Sequence, residues 1–243
     1  MGIVVQKFGG SSVESTEKLF NICKYITKEY NKNNKVVVVV SAQGKMTDFL
    51  IKEARKIDEN INKRELDVLM SVGEQITIAK LAMCLKKLGY DAISLTGWQV
   101  PIKTNNLYGD ADVLKINLDR IIKELENNKI VIVAGFQGIN ETSNDITTLG
   151  RGGSDTTAVA IAAALKADKC DIYKDVDGVY NIDPKTNKKA FKYDYISYEE
   201  MLNLSNNGAK VLHNKSVELA KEFNMPLHIK SVYDENAKGT YIH

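Results

Sequence analysis

The sequence comprises 243 residues, of which 44% are hydrophobic, so the chain is long and apolar enough to bury one sizeable core. Thirty-three basic residues against 31 acidic ones leave a formal charge of +2. This net charge is too small to attract the chain as a whole to nucleic acid or to an anionic membrane. The longest apolar runs, 36–40 and 130–134, have the length of strands and fall short of the roughly 20 residues that a membrane helix needs.

The three cysteines, Cys23, Cys84 and Cys170, form no CxxC pair and lie in apolar segments. This pattern indicates reduced, buried thiols and argues against a disulfide or zinc framework. Since no secretory leader is recognisable either, we expect a cytoplasmic protein.

Runs rich in β-branched residues alternate with amphipathic helical patterns, which predicts a mainly parallel sheet covered by helices. The strands are expected at 3–8, 35–41, 91–95, 130–134, 146–149, 171–173, 227–231 and 240–242. The helices are expected at 15–30, 47–60, 64–88, 113–127, 154–167, 197–206 and 213–223. An irregular hairpin is expected at 99–112, a turn-rich excursion at 135–145 and a polar loop up to residue 189.

Two Gly-Gly-Ser turns each follow a predicted strand and precede a predicted helix. Lys7 stands before the turn at 9–11, and Arg151 stands before the turn at 152–154. Neither turn completes a P-loop or a GxGxxG motif. Glycines allow close approach of the backbone to a ligand, and the free N–H groups of a helix start attract phosphate oxygens. Either turn alone could be an ordinary connection, but the two together favour a phosphoryl site.

Two carboxylates stand where their charge requires a partner. Asp155, in the first turn of a predicted helix, would repel a phosphate at the same helix end unless it engages a lysine or a magnesium ion. Glu74 lies inside the apolar pattern of the helix at 64–88, where a carboxylate needs a donor or has its pKa raised. A substrate ammonium would satisfy Glu74, and so would an intramolecular partner at a helix kink.

The segment 171–185, DIYKDVDGVYNIDPK, places turn residues at the carboxyl end of a predicted parallel strand. This position is favourable for a ligand. Tyr180 could stack on a base or cover the core, and the spacing does not decide between the two.

Eight motifs along the chain together resemble the catalytic domain of the aspartate kinases, within the amino-acid kinase family. The motifs are KFGGSSV at 7–13, VSAQGKMTDFL at 40–50, SVGEQ at 71–75, SLTGWQ at 94–99, GFQG at 135–138, TTLGRGGSDTTAVA at 147–160, CDIYKDVDGVY at 170–180 and GAKVLH at 208–213. The resemblance covers essentially the whole chain. It implies a three-layer α/β/α sandwich with an open, mostly parallel eight-stranded sheet. Residues 1–243 would form one catalytic domain, with the amino acid in its N-terminal half and the nucleotide in its C-terminal half.

The resemblance also implies an activity, the ATP-dependent phosphorylation of the side-chain carboxylate of L-aspartate to 4-phospho-L-aspartate. This reaction is the first step of lysine, threonine and methionine biosynthesis, and Mg²⁺ would accompany the ATP. Because a carboxylate is already ionised at neutral pH, catalysis needs positioning and positive charge but no general base. Two alternatives remain: a kinase of another acidic amino acid, or a catalytically weak binding subunit that needs a regulatory partner.

The same resemblance implies roles for individual residues. Lys7, Asp155 and Lys210 would be catalytic, with Asp155 organising the two lysines. The residues expected to bind aspartate are Thr47, Glu74, Arg151, Gly152, Gly153 and Ser154. The residues expected to bind the nucleotide are Lys7, Phe8, Gly9, Gly10, Ser11, Lys174, Asp175, Tyr180 and Lys185. Glu74 would meet the α-ammonium of aspartate, Arg151 would form a fork with its α-carboxylate, and no side chain is expected to ligate a metal ion.

The chain departs from the family pattern in two respects. Lys174 stands where threonine is usual, Lys185 where arginine is usual, and Asn214-Lys215 where Pro-Arg is common. These changes keep or add positive charge near the expected polyphosphate. In addition, the sequence stops at His243 where family members usually continue into ACT-type regulatory domains, so we expect an unregulated domain unless a separate chain supplies regulation. By analogy with the family we expect a homodimer, without a nucleic-acid or membrane partner.

Overall fold

The structure, a computed structural model, describes residues 2–184, 186–187, 189–209 and 211–243. The strands are β1 (Ile3–Phe8), β2 (Lys35–Val40), β3 (Ala92–Leu95), β4 (Ile102–Thr104), β5 (Val113–Ile116), β6 (Ile130–Ala134), β7 (Gln137–Asn140), β8 (Ile146–Thr148), β9 (Lys169–Lys174), β10 (Tyr195–Ile196), β11 (Leu227–Ser231) and β12 (Thr240–Ile242). The helices are α1 (Thr16–Tyr30), α2 (Met46–Arg55), α3 (Lys63–Lys87), α4 (Asp119–Glu126), α5 (Gly153–Leu165), α6 (Tyr198–Asn206) and α7 (Asn214–Glu222).

The main sheet has eight strands in the order β10-β12-β11-β9-β1-β2-β6-β3. Its pairs are parallel except for the antiparallel pair of β11 and β12. The run 36–40 in β2 is fully buried, as expected of a central parallel strand covered on both faces. The prediction of an open, mostly parallel eight-stranded sheet is therefore confirmed.

Two apolar clusters lie on opposite faces of this sheet. One is formed with α1 and α3 and includes Phe8, Leu19 and Leu81. The other is formed with α4, α5, α6 and α7 and includes Ile161 and Val217. The alternation of side chains along β1 and β2 supplies both clusters, because successive residues of a strand point to opposite faces. The result is the three-layer arrangement that the sequence predicted.

A second, four-stranded sheet, β5-β4-β7-β8, was not predicted. The helix expected at 113–127 is wrong in its first part, because Val113–Ile116 forms β5 and pairs with β4. Only Asp119–Glu126 is helical. Val113 and Ile116 are three residues apart, a spacing typical of a helix, and the strand that forms instead pairs with β4 through a register shift. The helix expected at 47–60 also ends earlier, at Arg55.

The first glycine turn does not open an α-helix, contrary to prediction. Gly10–Ser12 form one turn of 3-10 helix, and α1 begins only at Thr16. The hydroxyl of Ser15 caps α1 by accepting a hydrogen bond from the N–H of Lys18 at 3.2 Å. The second turn does lead directly into a helix, since α5 begins at Gly153.

Helix α3 is the core helix of the N-terminal half. Within the described ranges it is the one helix long and apolar enough to cross a membrane by length and composition, but 56% of that window is buried inside the protein. It packs against α1, β3, β6 and β8. We therefore interpret its hydropathy as that of a core helix.

Candidate active site

A cleft of about 1220 Å³ opens at the carboxyl ends of β1, β2 and β9. Its walls come from α2, α3, the start of α5 and the segment that joins α6 to α7. In open α/β sheets this edge is where ligands bind. Among the predicted site residues, those that line the cleft are Lys7, Gly9, Gly10, Thr47, Glu74, Arg151, Gly152, Gly153, Ser154, Asp155 and Lys174.

Asp155 lies at the centre of an ion-pair cluster. Its Oδ1 is 2.6 Å from the Nζ of Lys7, and its Oδ2 is 2.7 Å from the Nζ of Lys174. Only 5% of the Asp155 side chain and 6% of the Lys7 side chain are exposed. The prediction that a cation lies beside Asp155 agrees with this geometry. The described partners are Lys7 and Lys174, while Lys210 lies outside the described residues.

The electrostatics of the cluster follow from its burial. Burial would raise the pKa of Asp155, but the charges of Lys174 and Lys7 hold that pKa below its ordinary value. Burial lowers the pKa of Lys7, and Lys174 adds to this effect while Asp155 opposes it. The carboxylate is therefore charged, and it keeps two ammonium groups together at one end of the cleft.

Two glycines allow the turn before α5 to approach its neighbours. Gly150 and Gly152 have φ angles of 70° and 73°, in the left-handed region that favours glycine. A Cβ atom at Gly150 would collide with the side chain of Asp110, and one at Gly152 would collide with His213. Both the backbone conformation and the lack of space for a side chain therefore require glycine in this turn, which lines the cleft.

Glu74 lies on α3 and lines the same cleft. Its Oε1 accepts a hydrogen bond from the N–H of Ala42 at 2.9 Å, and its buried Oε2 has no hydrogen-bond partner among the described residues. Gly73 permits this contact, since a Cβ there would lie 2.7 Å from the Cβ of Ala42. Burial raises the pKa of Glu74 to about 8. An unpaired acceptor at a cleft wall is suited to a cationic ligand group.

Arg151 is exposed in the cleft mouth. It forms no ion pair or hydrogen bond with the part of the chain that the structure describes, so its guanidinium is available to a ligand. Thr47 is half-buried in the first turn of α2 on the same cleft. Together with Glu74, these residues present a cation, a hydroxyl and a carboxylate to one volume.

Other predicted nucleotide contacts lie elsewhere. Phe8 is fully buried and stacks on Tyr173 with ring centroids 4.6 Å apart, so its side chain belongs to the core. Ser11, Asp175 and Tyr180 do not line the cleft. The hydroxyl of Tyr180 donates to Asp177 at 2.9 Å. Lys185 lies outside the described residues.

Sequence reasoning missed Asp67, which is buried in the cleft wall. Its Oδ2 accepts from the N–H groups of Gly109 and Thr148, both at 2.9 Å, and its Oδ1 accepts from the Thr148 hydroxyl at 2.7 Å. Burial raises the pKa of Asp67, although these donors oppose the effect. The contacts fasten the small sheet to α3. Asp67 lies seven residues before Glu74 in the same apolar helix pattern, so the reasoning that a carboxylate there needs a hydrogen-bond donor would also have identified it.

A second missed feature crosses the cleft. Lys215 on α7 places its Nζ 2.7 Å from Asp110 Oδ1 and 3.1 Å from Asp112 Oδ1. The two aspartates belong to the segment between β4 and β5. His213 lines the cleft beside Gly152. These contacts join the two halves of the molecule, and no local spacing predicts them.

The comparisons with known proteins agree on one family. Residues 2–231 match the model of the amino acid kinase family. The chain is 54% identical over 242 residues to an aspartokinase of Geobacillus stearothermophilus, covering all of this chain and 59% of that protein. It therefore spans about three fifths of the length of the curated relatives that it matches.

Solved structures give the same picture. The aspartate kinase of Synechocystis superposes with a TM-score of 0.88 at 44% identity, covering 99% of this chain and 39% of that one. Aspartokinase III of E. coli, solved in complex with aspartate and ADP, gives a TM-score of 0.89 at 26% identity, covering 99% of this chain and 64% of that one.

Proposed function

The chain belongs to the amino acid kinase family, and on this premise we propose that residues 1–243 form the catalytic domain of an aspartate kinase. The domain transfers the γ-phosphoryl group of ATP to the side-chain carboxylate of L-aspartate. One observation carries the proposal: a single cleft is lined by the Lys7–Asp155–Lys174 cluster, by Glu74 with its unpaired buried oxygen and by the exposed Arg151. The named relatives support it.

The amino-acid end suits a free α-amino acid. The α-ammonium of aspartate would supply the donor that Glu74 Oε2 lacks, and its charge would draw the proton from that carboxyl group. The guanidinium of Arg151 would bind the α-carboxylate through two parallel hydrogen bonds. Thr47 would complete the contacts from α2. The side-chain carboxylate of aspartate is then left to point toward Lys7.

The phosphoryl end supplies positive charge where negative charge develops. An oxygen of the aspartate side-chain carboxylate attacks the γ-phosphorus, forming a new O–P bond as the bond from γ-phosphorus to the β,γ-bridging oxygen breaks. ADP leaves with that electron pair, and no proton moves because the attacking carboxylate is ionised. Lys7 and the glycine turn at Gly9 and Gly10, which line the cleft, would stabilise the equatorial oxygens. Asp155 holds Lys7 in place.

We propose that magnesium enters with the nucleotide, as MgATP. Within the described ranges, no group of three or more histidine, cysteine or acidic side chains is arranged to hold a metal ion. Lys7, Lys174 and Arg151 line the cleft, and their ammonium and guanidinium groups suit phosphate oxygens. The phosphates of ATP are therefore the expected ligands of the ion.

We further propose that the enzyme serves the biosynthesis of lysine, threonine and methionine in the cytoplasm, where buried free thiols such as Cys23, Cys84 and Cys170 stay reduced. A homodimer is expected. Helix α3 supports this expectation because Val72, Ile76 and Met83 form an exposed apolar stripe, with Met83 68% exposed.

The test is formation of an acyl phosphate, trapped with hydroxylamine, from MgATP and a panel of acceptors. L-aspartate should react far faster than L-glutamate, and succinate, which lacks the ammonium, should react slowly. Glu74→Gln should reduce kcat/KM for aspartate at least about tenfold while leaving the reaction with succinate unchanged. Absence of hydroxamate with L-aspartate, or equal rates with L-glutamate, would refute the proposal.

A further inference from the structure

Lys174 is the ammonium of the phosphoryl end that the reaction above does not use. It stands at the last position of β9, beside β1. Lys7 pairs with Ile172 across these strands, so Lys174 lies two residues further along, on the same face of the sheet. This position carries its side chain past Lys7 to the cleft, which it lines.

Among the described residues, the net positive charge of the cluster depends on Lys174. Lys7 and Asp155 alone would form a neutral pair, with no net charge to offer a phosphoryl group. With Lys174 bound to Oδ2 at 2.7 Å, two ammonium groups share one carboxylate and a net positive charge remains. Each ammonium has three N–H donors and needs one for Asp155. The remaining donors can reach phosphate oxygens.

Lys174 is also better placed to meet a ligand than Lys7. Its side chain is 18% exposed, against 6% for Lys7, so more of its surface is open to the cleft that both side chains line. A lysine that served only to neutralise a buried aspartate would gain nothing from this exposure. The neighbouring lysine of the same strand, Lys169, pairs with Glu29 and Asp171 instead and lies outside the cleft.

We infer that Lys174 is a further catalytic residue, whose ammonium binds the γ-phosphoryl group together with Lys7 while Asp155 fixes the spacing of the two. The inference rests on the proposed function for its substrate. It adds no bond-making step: Lys174 donates hydrogen bonds to the phosphoryl oxygens as the γ-phosphoryl group passes from ADP to the acceptor. Its contact grows stronger as charge develops on those oxygens.

The experiment compares affinities for ADP and for the β,γ-imido analogue of ATP by calorimetry, with magnesium, in the wild type, Lys174→Thr and Lys174→Met. If Lys174 contacts the γ-phosphoryl group, both variants should lower the affinity for the analogue at least about fivefold more than the affinity for ADP. Lys174→Arg should keep part of the wild-type difference between these two affinities. The matched control Lys169→Thr, which removes an ion-paired lysine of the same strand outside the cleft, should change neither affinity by more than about twofold.

Kinetics give the second readout. Lys174→Thr should lower kcat at least about tenfold and leave KM for aspartate within about twofold. Lys174→Gln serves if Lys174→Met does not fold. An unchanged ratio of the two nucleotide affinities together with unchanged kcat would overturn the inference. Failure of the wild type to phosphorylate aspartate would refute the proposed function instead, and the nucleotide affinity ratio would still decide the role of Lys174.

Discussion

Glu74 on α3 is bound to Ala42, two residues after β2, because its Oε1 accepts a hydrogen bond from the Ala42 N–H at 2.9 Å. The buried Oε2 of Glu74 has no hydrogen bond among the described residues. Burial raises the pKa of Glu74 to about 8. In the free protein the carboxyl group is therefore mostly protonated at neutral pH. A ligand ammonium at Oε2 would favour the carboxylate and displace the proton.

Aspartate binding is thus predicted to release close to one proton at pH 7. The measurement is calorimetry of aspartate binding in two buffers that differ in ionisation enthalpy. The release should vanish above about pH 9, where Glu74 is already ionised in the free protein, and Glu74→Gln should release none at any pH. Proton release that persists in Glu74→Gln would assign the effect to another group.

The same carboxyl group predicts a pH dependence of stability. In the unfolded chain Glu74 titrates near its ordinary pKa of about 4.3, whereas the folded protein keeps the proton up to about pH 8. Between these values the folded state binds more protons, so its contribution to stability falls as pH rises. Urea unfolding at pH 5, 6.5 and 8 should show that Glu74→Gln loses less stability across this range than the wild type. Parallel losses in both proteins would contradict the assigned burial.

The sequence predicted seven of the eight strands of the main sheet, because most of them are apolar runs with clear boundaries. It missed the two-residue strand β10, and the predicted strand at 146–149 lies in the small sheet. It could not predict the small sheet, whose strands of three or four residues carry too little periodicity to separate strand from helix. Glu74 and Asp155 were singled out as local anomalies of charge, and Lys7 by its place before the first glycine turn. The bond between Asp155 and Lys174 depends on how β9 docks beside β1, a long-range pairing that no spacing along the chain encodes.

Lys7→Met is predicted to lower kcat by about a hundredfold or more, because a preorganised charge at the transition state is lost. The fold should survive, since Asp155 keeps Lys174 as a partner. Turnover and far-UV circular dichroism are measured together. Native spectra with near-native turnover would remove Lys7 from the mechanism.

Arg151→Lys is predicted to raise KM for aspartate about tenfold or more with a smaller effect on KM for ATP, because a single ammonium cannot reproduce the two parallel hydrogen bonds of a guanidinium. The exposed position of Arg151 means that stability should stay within about 0.5 kcal/mol of the wild type. Steady-state kinetics with each substrate varied in turn, beside urea unfolding, make the comparison. Equal increases in both KM values would indicate that Arg151 shapes the cleft and does not bind aspartate.

Lys215→Ala tests the ion pairs that span the cleft from α7 to Asp110 and Asp112. All three side chains are partly exposed, at 32%, 68% and 52%, so the pairs are screened and contribute on the order of 1 kcal/mol or less. Their loss should raise KM for aspartate by about two- to fivefold at low salt, because the 105–112 segment is held over the cleft less of the time, and kcat should stay unchanged. At 1 M salt, where the Debye length falls to about 3 Å, the KM values of wild type and variant should converge.

Lys221→Ala is the matched control for Lys215→Ala, since Lys221 lies on the same helix and pairs with the exposed Glu199 at 2.9 Å. A KM difference that survives high salt, or one that Lys221→Ala reproduces, would mean that the contact between the two halves is not electrostatic in origin.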